Sequence, residues 1–389
     1  MKKFGLLPRI ILAIASGILI GSIVPSEVIE VFATFNGLFG NFLGFAIPLI
    51  IIGFIAPGIG QMGRGAGRLL GLTAGIAYFS TVIAGTLAYG AGSLLYPKFL
   101  QTGAFKGELE NPEEVLLSPM FQVDMPPIMG VMTALLLSFT LGLGMAALKS
   151  DALQNVMIDF RTIIEKLIST IIIPLLPFHI FGIFANMTHG GQVATIMSTF
   201  IKVFIVIIVL HFIMLLIQYT IAGTIAKKNI LTLFKNMIPA YFTALGTQSS
   251  ASTIPVTLRQ AKKNGIRERI ADFVIPLCAT IHLSGSTITL VSCTMAVMLL
   301  NGQVPTFEAI FPFILMLGIT MIAAPGVPGG AVMAALGLLQ SMLGFDATMA
   351  SLMIALYLAQ DSLGTATNVT GDGAISIIVD RLTPSKSIQ

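Results

Sequence analysis

Asp361, Thr365, Asn368 and Asp372 recur at steps of four, three and four, which puts all of them on one face of a helix. The surrounding stretch is apolar on both sides, so such a helix would carry two carboxylates into the core of a bilayer. On insertion scales each costs about 2.5–3.5 kcal/mol at the helix centre. No Lys or Arg occurs between Arg269 and Arg381, so nothing basic in that run neutralises them. The compensating charge is expected to be mobile: a substrate ammonium, a metal cation or a proton. The alternative is a pair of protonated, hydrogen-bonded structural acids, and four polar groups sharing one stripe argue against it.

Two further stretches suit ion and substrate binding. Thr247-Gln248-Ser249-Ser250-Ala251-Ser252-Thr253-Ile254-Pro255 is a run of hydroxyls ending in a helix breaker, and Pro325-Gly326-Val327-Pro328-Gly329-Gly330 cannot continue a helix cleanly. Each is expected to end two half-helices. A helix N-terminus offers free N–H groups and partial positive charge to a carboxylate, while facing chain ends offer carbonyl oxygens to Na⁺. His282, in Ile281-His282-Leu283-Ser284-Gly285-Ser286, has two readings, a proton relay or a hydrogen-bonded structural histidine. His179, His189 and His211 show no ligand spacing. Cys278 and Cys293 lie within one apolar span, which argues against a disulfide or a zinc site.

The elements that position these residues follow from composition. Of 389 residues, 55% are hydrophobic and 10% charged, against about 25% charged in soluble domains. Mean hydropathy is +0.94. Apolar runs long enough for a ~30 Å hydrocarbon layer recur, continuous rather than alternating, so the expected fold class is an all-α polytopic membrane protein. The first half, 1–228, reads as six spans at about 8–24, 38–58, 67–96, 128–148, 160–186 and 193–225. The run after Lys2, Lys3 and Arg9 reads as a retained first helix rather than a cleaved signal. The net charge of +4 sits in a few loops. It therefore reports topology rather than nucleic-acid binding, and places both ends of the six-span unit in the cytoplasm of a cell with the protein in its inner membrane.

The second half, 229–389, breaks the alternation of charge. Segment 229–264 is flanked by basic residues at both ends, Lys227, Lys228 and Lys235 before it and Arg259, Lys262, Lys263, Arg267 and Arg269 after it. A single crossing would put one cluster outside, so the segment is read as a re-entrant hairpin turning at the serines. Helix 267–300 follows, then a second hairpin 306–344 around the Pro-Gly stretch, then helix 346–380. The second pair is inverted relative to the first. Thirty-five residues separate Ser249 from Ser284, and the same number separates Gly326 from Asp361. Interrupted segments at corresponding positions of two repeats are the best sequence pointer to a midplane transport site.

These residues resemble the dicarboxylate/amino acid:cation symporter family, which includes the glutamate transporters, and are closest to its neutral serine/threonine branch. The resemblance covers nearly the whole chain and is specific from about 240 to 375. It rests on Ser249–Arg259, on Gly326-Val327-Pro328-Gly329-Gly330 and on Asp361, Thr365 and Asn368-Val369-Thr370-Gly371-Asp372. It implies eight transmembrane helices plus two re-entrant hairpins in inverted repeats, a trimeric scaffold and a moving transport core, no organic cofactor, and Na⁺ as coupling ion. By that resemblance, Asp361 binds the substrate's α-ammonium. Ser249, Ser250, Ser286, Thr365, Asn368 and the backbone at Val327 line the substrate site and its α-carboxylate. Asp372, with carbonyls near Cys278, His282 and Asn368, holds one Na⁺, and carbonyls near Met321, Ile322 and Ala324, with Thr280, hold another.

Two departures from the family pattern carry information. Gly364 stands where an arginine binds a distal carboxylate, and Gln248 stands at the alternative arginine position. A second substrate carboxylate would then be buried without a cation, at a cost of several kcal/mol. A small neutral amino acid such as serine or threonine is therefore expected. A dicarboxylate or acidic amino acid carried with protons is the alternative. The family's Asn-Met-Asp-Gly-Thr break appears as His282-Leu283-Ser284-Gly285-Ser286, so the third cation position, with Tyr78, Thr81 and Ser284, lacks its aspartate, and Val82 replaces a serine.

An intramembrane aspartyl protease needs paired aspartates on facing helices, whereas Asp361 and Asp372 share one helix. A channel has no need for groups matched to a zwitterion. The sequence thus points to a carrier rather than an enzyme.

Overall fold

The computed structural model describes residues 6–62, 67–100, 103, 117–148, 151–191, 193–321, 324 and 329–383. Among the described residues there is no strand. The first half comprises α1 (Leu6–Gly21), α2 (Ser26–Met62), α3 (Gly67–Phe99), α4 (Val131–Leu148), α5 (Asp151–Leu167), a π turn (Ile168–Ile172), α6 (Ile173–His189) and α7 (Val193–Ala226).

Two of these differ from the apolar blocks read in the sequence. Helix α2 begins at Ser26 rather than near 38, because Glu27 suits the positive end of the helix dipole. The helix thus outruns the stretch that hydropathy marks. Likewise α5 begins at Asp151 rather than near 160; its first turns are amphipathic and bury Gln154 and Met157. The π turn just ahead of Pro174 and Pro177 falls where prolines interrupt the regular hydrogen-bond ladder.

The second half contains α8 (Ile230–Thr247), α9 (Ser250–Lys263), α10 (Glu268–Ile281), α11 (Ser284–Leu300), α12 (Phe307–Met321), α13 (Gly330–Leu343) and α14 (Ala347–Leu382). Helix α8 stops where Gln248 turns left-handed, with φ at 54°. Ser249 then caps α9 by accepting from Ser252 N at 3.3 Å. The open ends of the two helices meet, since Asn236 Nδ2 donates to Asn264 Oδ1 at 2.8 Å and Asn264 Nδ2 to Leu233 O at 3.1 Å. They therefore fold back on one another, with the turn at the serines. Helices α12 and α13 also pack together, and Gly329, with φ at 74°, opens α13.

His282 and Leu283 leave helical geometry and divide α10 from α11. Helix α14 runs unbroken for 36 residues, capped by Asp346 accepting from Met349 N at 2.8 Å. Its far end is tied to the start of α10, where Arg267 Nε donates to Asp380 Oδ1 at 2.7 Å.

Large apolar side chains, among them Ile11, Leu12, Phe79, Phe178, Ile205 and Leu216, are exposed along the outer helices. A surface of that kind belongs in lipid. By length and apolarity, five segments among the described residues can cross a membrane: Ser26–Gly60, Leu69–Phe99, Asp151–His189, Phe200–Ala226 and Glu268–Leu300. The protein is an all-helical polytopic membrane protein. Helices α1 and α4 are apolar but shorter in their described parts, while α14 has the length and carries the polar stripe.

Helix α14 is the hub. Its first part, Met349–Leu358, joins a core with α2, α3, α6, α11, α12 and α13, and its second part, Ala366–Val379, joins another with α7, α8, α9 and α10. The polar residues lie where the two cores meet.

Candidate binding site

Asp361, Thr365, Asn368 and Asp372 are all buried along α14. Each meets a different broken end. Asp361 Oδ2 accepts from the backbone N–H of Gly329, at the start of α13, at 2.7 Å. The hydroxyls of Tyr357 and Thr365 lie close to this carboxylate. Asn368 Oδ1 accepts from the N–H groups of Gly285 at 2.7 Å and Ser286 at 3.2 Å, the first turn of α11. Its amide nitrogen donates to Ser286 Oγ at 2.9 Å, and Tyr357 donates to the same hydroxyl at 3.1 Å. Two helix N-termini therefore converge on the stripe, and each contributes the free N–H groups that the loss of a helical turn exposes.

Asp372 Oδ1 lies 2.9 Å from His282 Nδ1, at the break between α10 and α11. Its Oδ2 is buried without a partner among the described residues. A buried carboxylate oxygen left unpaired is costly, and a visiting cation would satisfy it. The carbonyl of Cys278 accepts from His282 N at 2.9 Å and keeps a second lone pair. These donors are all hard oxygens, the set an alkali cation takes.

The remaining predicted residues are placed as follows. Ser249 and Ser250 are buried at the first turn, beside α14 through α9. Thr280 donates to Leu277 O at 2.7 Å. Met321 and Ala324 are buried at the end of α12, whereas Ile322 and Val327 lie outside the described residues. The hydroxyl of Tyr78 donates to Leu315 O, 3.4 Å away on α12. Thr81 is buried with its hydroxyl unpartnered, and Ser284 accepts from Gln218 at 3.1 Å.

Gly364 acquires a second meaning in three dimensions. A Cβ there would lie 3.5 Å from Ser286 N and from Thr289 Oγ1, so the position faces α11. A Cβ at Gly285 would in turn lie 2.4 Å from Gly364 O and 2.7 Å from Thr367 Cβ. The two glycines let α11 and α14 touch backbone to backbone. Gly285→Ala is expected to destabilise the protein by about 1–3 kcal/mol through overpacking, seen as a lowered melting temperature in detergent. An unchanged melting curve would mean that the two helices can part without cost.

Sequence reasoning left several contributors out. Tyr357, one turn before Asp361, carries no motif signal beyond that spacing. His211 shows no ligand spacing in the sequence, yet its Nε2 lies 3.0 Å from Gly285 O. His179 accepts from the Asn36 amide at 3.1 Å and donates to Ser351 Oγ at 3.1 Å, beside a cavity of about 370 Å³ between α2, α6 and the start of α14. That cavity contains neither carboxylate.

Two buried carboxylates with no Lys or Arg against them among the described residues, each at the broken end of another helix, are the arrangement a membrane carrier of cationic cargo needs. The chain belongs to the sodium:dicarboxylate symporter family, which it matches over residues 6–382. It is similar to the serine/threonine transporter SstT of Acinetobacter baumannii (strain AYE), 27% identical over 97% of both chains. It is similar also to the SstT of Streptococcus suis (strain 05ZYH33), 26% identical over 85% of this chain and 94% of the relative. Human excitatory amino acid transporter 2 is 27% identical over 64% of this chain and 45% of its own length.

Proposed function

We propose that this protein is a Na⁺-coupled symporter of small neutral amino acids such as serine and threonine. The observation that carries this reading is that neither Gly364 nor Gln248 supplies a cation for a distal carboxylate. At Gly364, where the family resemblance expects an arginine for a distal carboxylate, this chain supplies no side chain, and the position faces Ser286 and Thr289 of α11 at ordinary contact distance. A second substrate carboxylate would be left without a counter-charge. The names of the two bacterial relatives agree with this specificity.

In this reading Asp361 receives the α-ammonium. Ser250, Thr365 and Asn368, with the backbone at Val327, hold the α-carboxylate, and Ser249, Ser286 and Gly364 line the substrate site. One Na⁺ uses Asp372 Oδ2 with the carbonyls of Cys278, His282 and Asn368; a second uses Thr280 with the carbonyls near Met321, Ile322 and Ala324. The chain crosses the cell membrane eight times with two re-entrant hairpins, α8–α9 and α12–α13, and both termini are cytoplasmic. Residues 1–228 act mostly as scaffold of a homotrimer, and 229–389 as the transport core that moves against it.

Uptake of labelled serine into proteoliposomes under an imposed Na⁺ gradient tests the proposal. Uptake driven by Na⁺, and competed by threonine but not by glutamate or succinate, is expected. Glutamate or succinate winning the competition, with uptake driven by a proton gradient instead, would establish the acidic-substrate alternative, which the human relative's name brings into view.

Tyr357 offers a finer test. Its hydroxyl donates to Ser286 Oγ and lies close to Asp361. Tyr357→Phe removes a buried hydrogen bond worth about 1 kcal/mol or somewhat more, so serine affinity is expected to fall roughly tenfold in a protein that still folds. Unchanged affinity would reduce Tyr357 to a packing residue.

A further inference from the structure

Behind Asp372 the polar network continues into two helices that the stripe does not include. Helix α3 contributes Ser80, α7 contributes Gln218, and the α10–α11 break contributes His282 and Ser284, all buried. Gln218 Nε2 lies 3.0 Å from Ser80 Oγ, 3.1 Å from Ser284 Oγ and 3.3 Å from His282 Nε2. Ser80 Oγ lies 3.0 Å from that same ring nitrogen.

One donor pattern accounts for the shorter contacts, and leaves Gln218 Oε1 buried without a partner among the described residues. His282 Nδ1–H donates to Asp372, the Ser80 hydroxyl donates to His282 Nε2, and the two N–H groups of Gln218 donate to the hydroxyl oxygens of Ser80 and Ser284. The chain of bonds is closed without any resident positive charge. It engages only one oxygen of Asp372.

A buried set of hydroxyls and an imidazole nitrogen beside a carboxylate can be satisfied in two ways. A desolvated cation can sit among the acceptors, or a resident donor can. Here the point surrounded by three acceptors is taken by an amide nitrogen. Gly371 makes room for it, since a Cβ at that position would lie 2.6 Å from Gln218 Oε1. The cluster holds no carboxylate except Asp372, whose nearer oxygen is engaged by His282.

We propose that the Gln218 side-chain amide stands in for a coupling cation among Ser80, His282 and Ser284, closing this cluster to Na⁺ and leaving Asp372 Oδ2 as the carboxylate oxygen open to one. The proposal rests on the Na⁺-coupled reading above and names the residue that limits the number of ions carried. A cation entering the cluster would have to expel the amide and would find only neutral ligands in return, which a buried charge does not tolerate.

The test uses the full chain in detergent, with thermal stability measured across Na⁺ concentrations and serine binding measured at tenfold Na⁺ steps. Two coupled ions tighten wild-type serine binding by no more than about 100-fold per tenfold rise in Na⁺. Ser284→Asp alone is expected to leave that dependence unchanged, because the amide donates to the new carboxylate. Gln218→Ala combined with Ser284→Asp opens the cluster and is expected to add about a further tenfold per step, with a matching gain in Na⁺-dependent melting temperature. Wild-type tightening near 1000-fold would overturn the proposal. So would an extra ion gained by Ser284→Asp alone, or no gain in a folded double variant. If wild type ignores Na⁺ altogether, the Na⁺-coupled reading falls, and Na⁺-dependent stabilisation of the double variant still decides the role of the amide.

Discussion

Asp361→Asn is expected to abolish amino acid transport while leaving the protein folded. The substitution keeps shape and hydrogen bonding, since an amide oxygen can still accept from Gly329 N, which now donates to Asp361 Oδ2 at 2.7 Å. What it removes is the charge. A substrate ammonium buried at this depth would lose its only carboxylate partner, and breaking a buried pair in that way costs about 3–5 kcal/mol. Serine affinity should therefore drop by roughly 10²- to 10³-fold. The measurement is serine binding and uptake alongside the melting temperature and its response to Na⁺, which the variant should retain. Wild-type uptake by Asp361→Asn would identify the group as a structural acid and sink the assignment of the ammonium site.

Asp372→Asn is expected to fail in a complementary way. The amide oxygen of this variant would still accept from His282 Nδ1, so the 2.9 Å contact at the helix break survives. The unpaired Oδ2 becomes an amide nitrogen, which repels a cation instead of binding one. One ion is lost from the coupling: a tenfold rise in Na⁺ should tighten serine binding about tenfold less than in wild type. At fixed Na⁺, serine affinity should fall by a further factor of roughly 10² or more, from the about 3–5 kcal/mol attached to a stranded buried charge. Titrations of melting temperature against Na⁺ without amino acid separate the two variants. Asp361→Asn keeps the response, and Asp372→Asn loses a large part of it. A full response in Asp372→Asn would place the ion elsewhere.

The two variants also probe how α14 divides its work. Asp361 sits beside the core shared with α12 and α13, and Asp372 beside the core shared with α7 to α10. Three helical turns separate them, close enough for one rigid helix to position both ligands. Cargo and ion would then be read by a single element, with the half-helix N-termini of α11 and α13 supplying the complementary N–H groups.

Much of this was legible in the sequence because the signals are local. Apolar runs, the four-three-four stripe on α14, the serine turn before Pro255 and the break at His282 all follow from neighbours within a turn or two, where periodicity and helix breakers act. Polar helix starts were less legible, as with Ser26 and Asp151, because hydropathy marks contact with lipid and not helicity. Only the tertiary structure decided what lies opposite each polar group. Gln218 meets Ser80 across 138 residues, and His282 meets Asp372 across 90. Gly364 reads in sequence as a missing arginine, but its contact with Gly285 makes it the seam between two helices. Pairings of that kind leave no periodic trace, since each residue satisfies the rules of its own helix and the partner is chosen by how the helices pack.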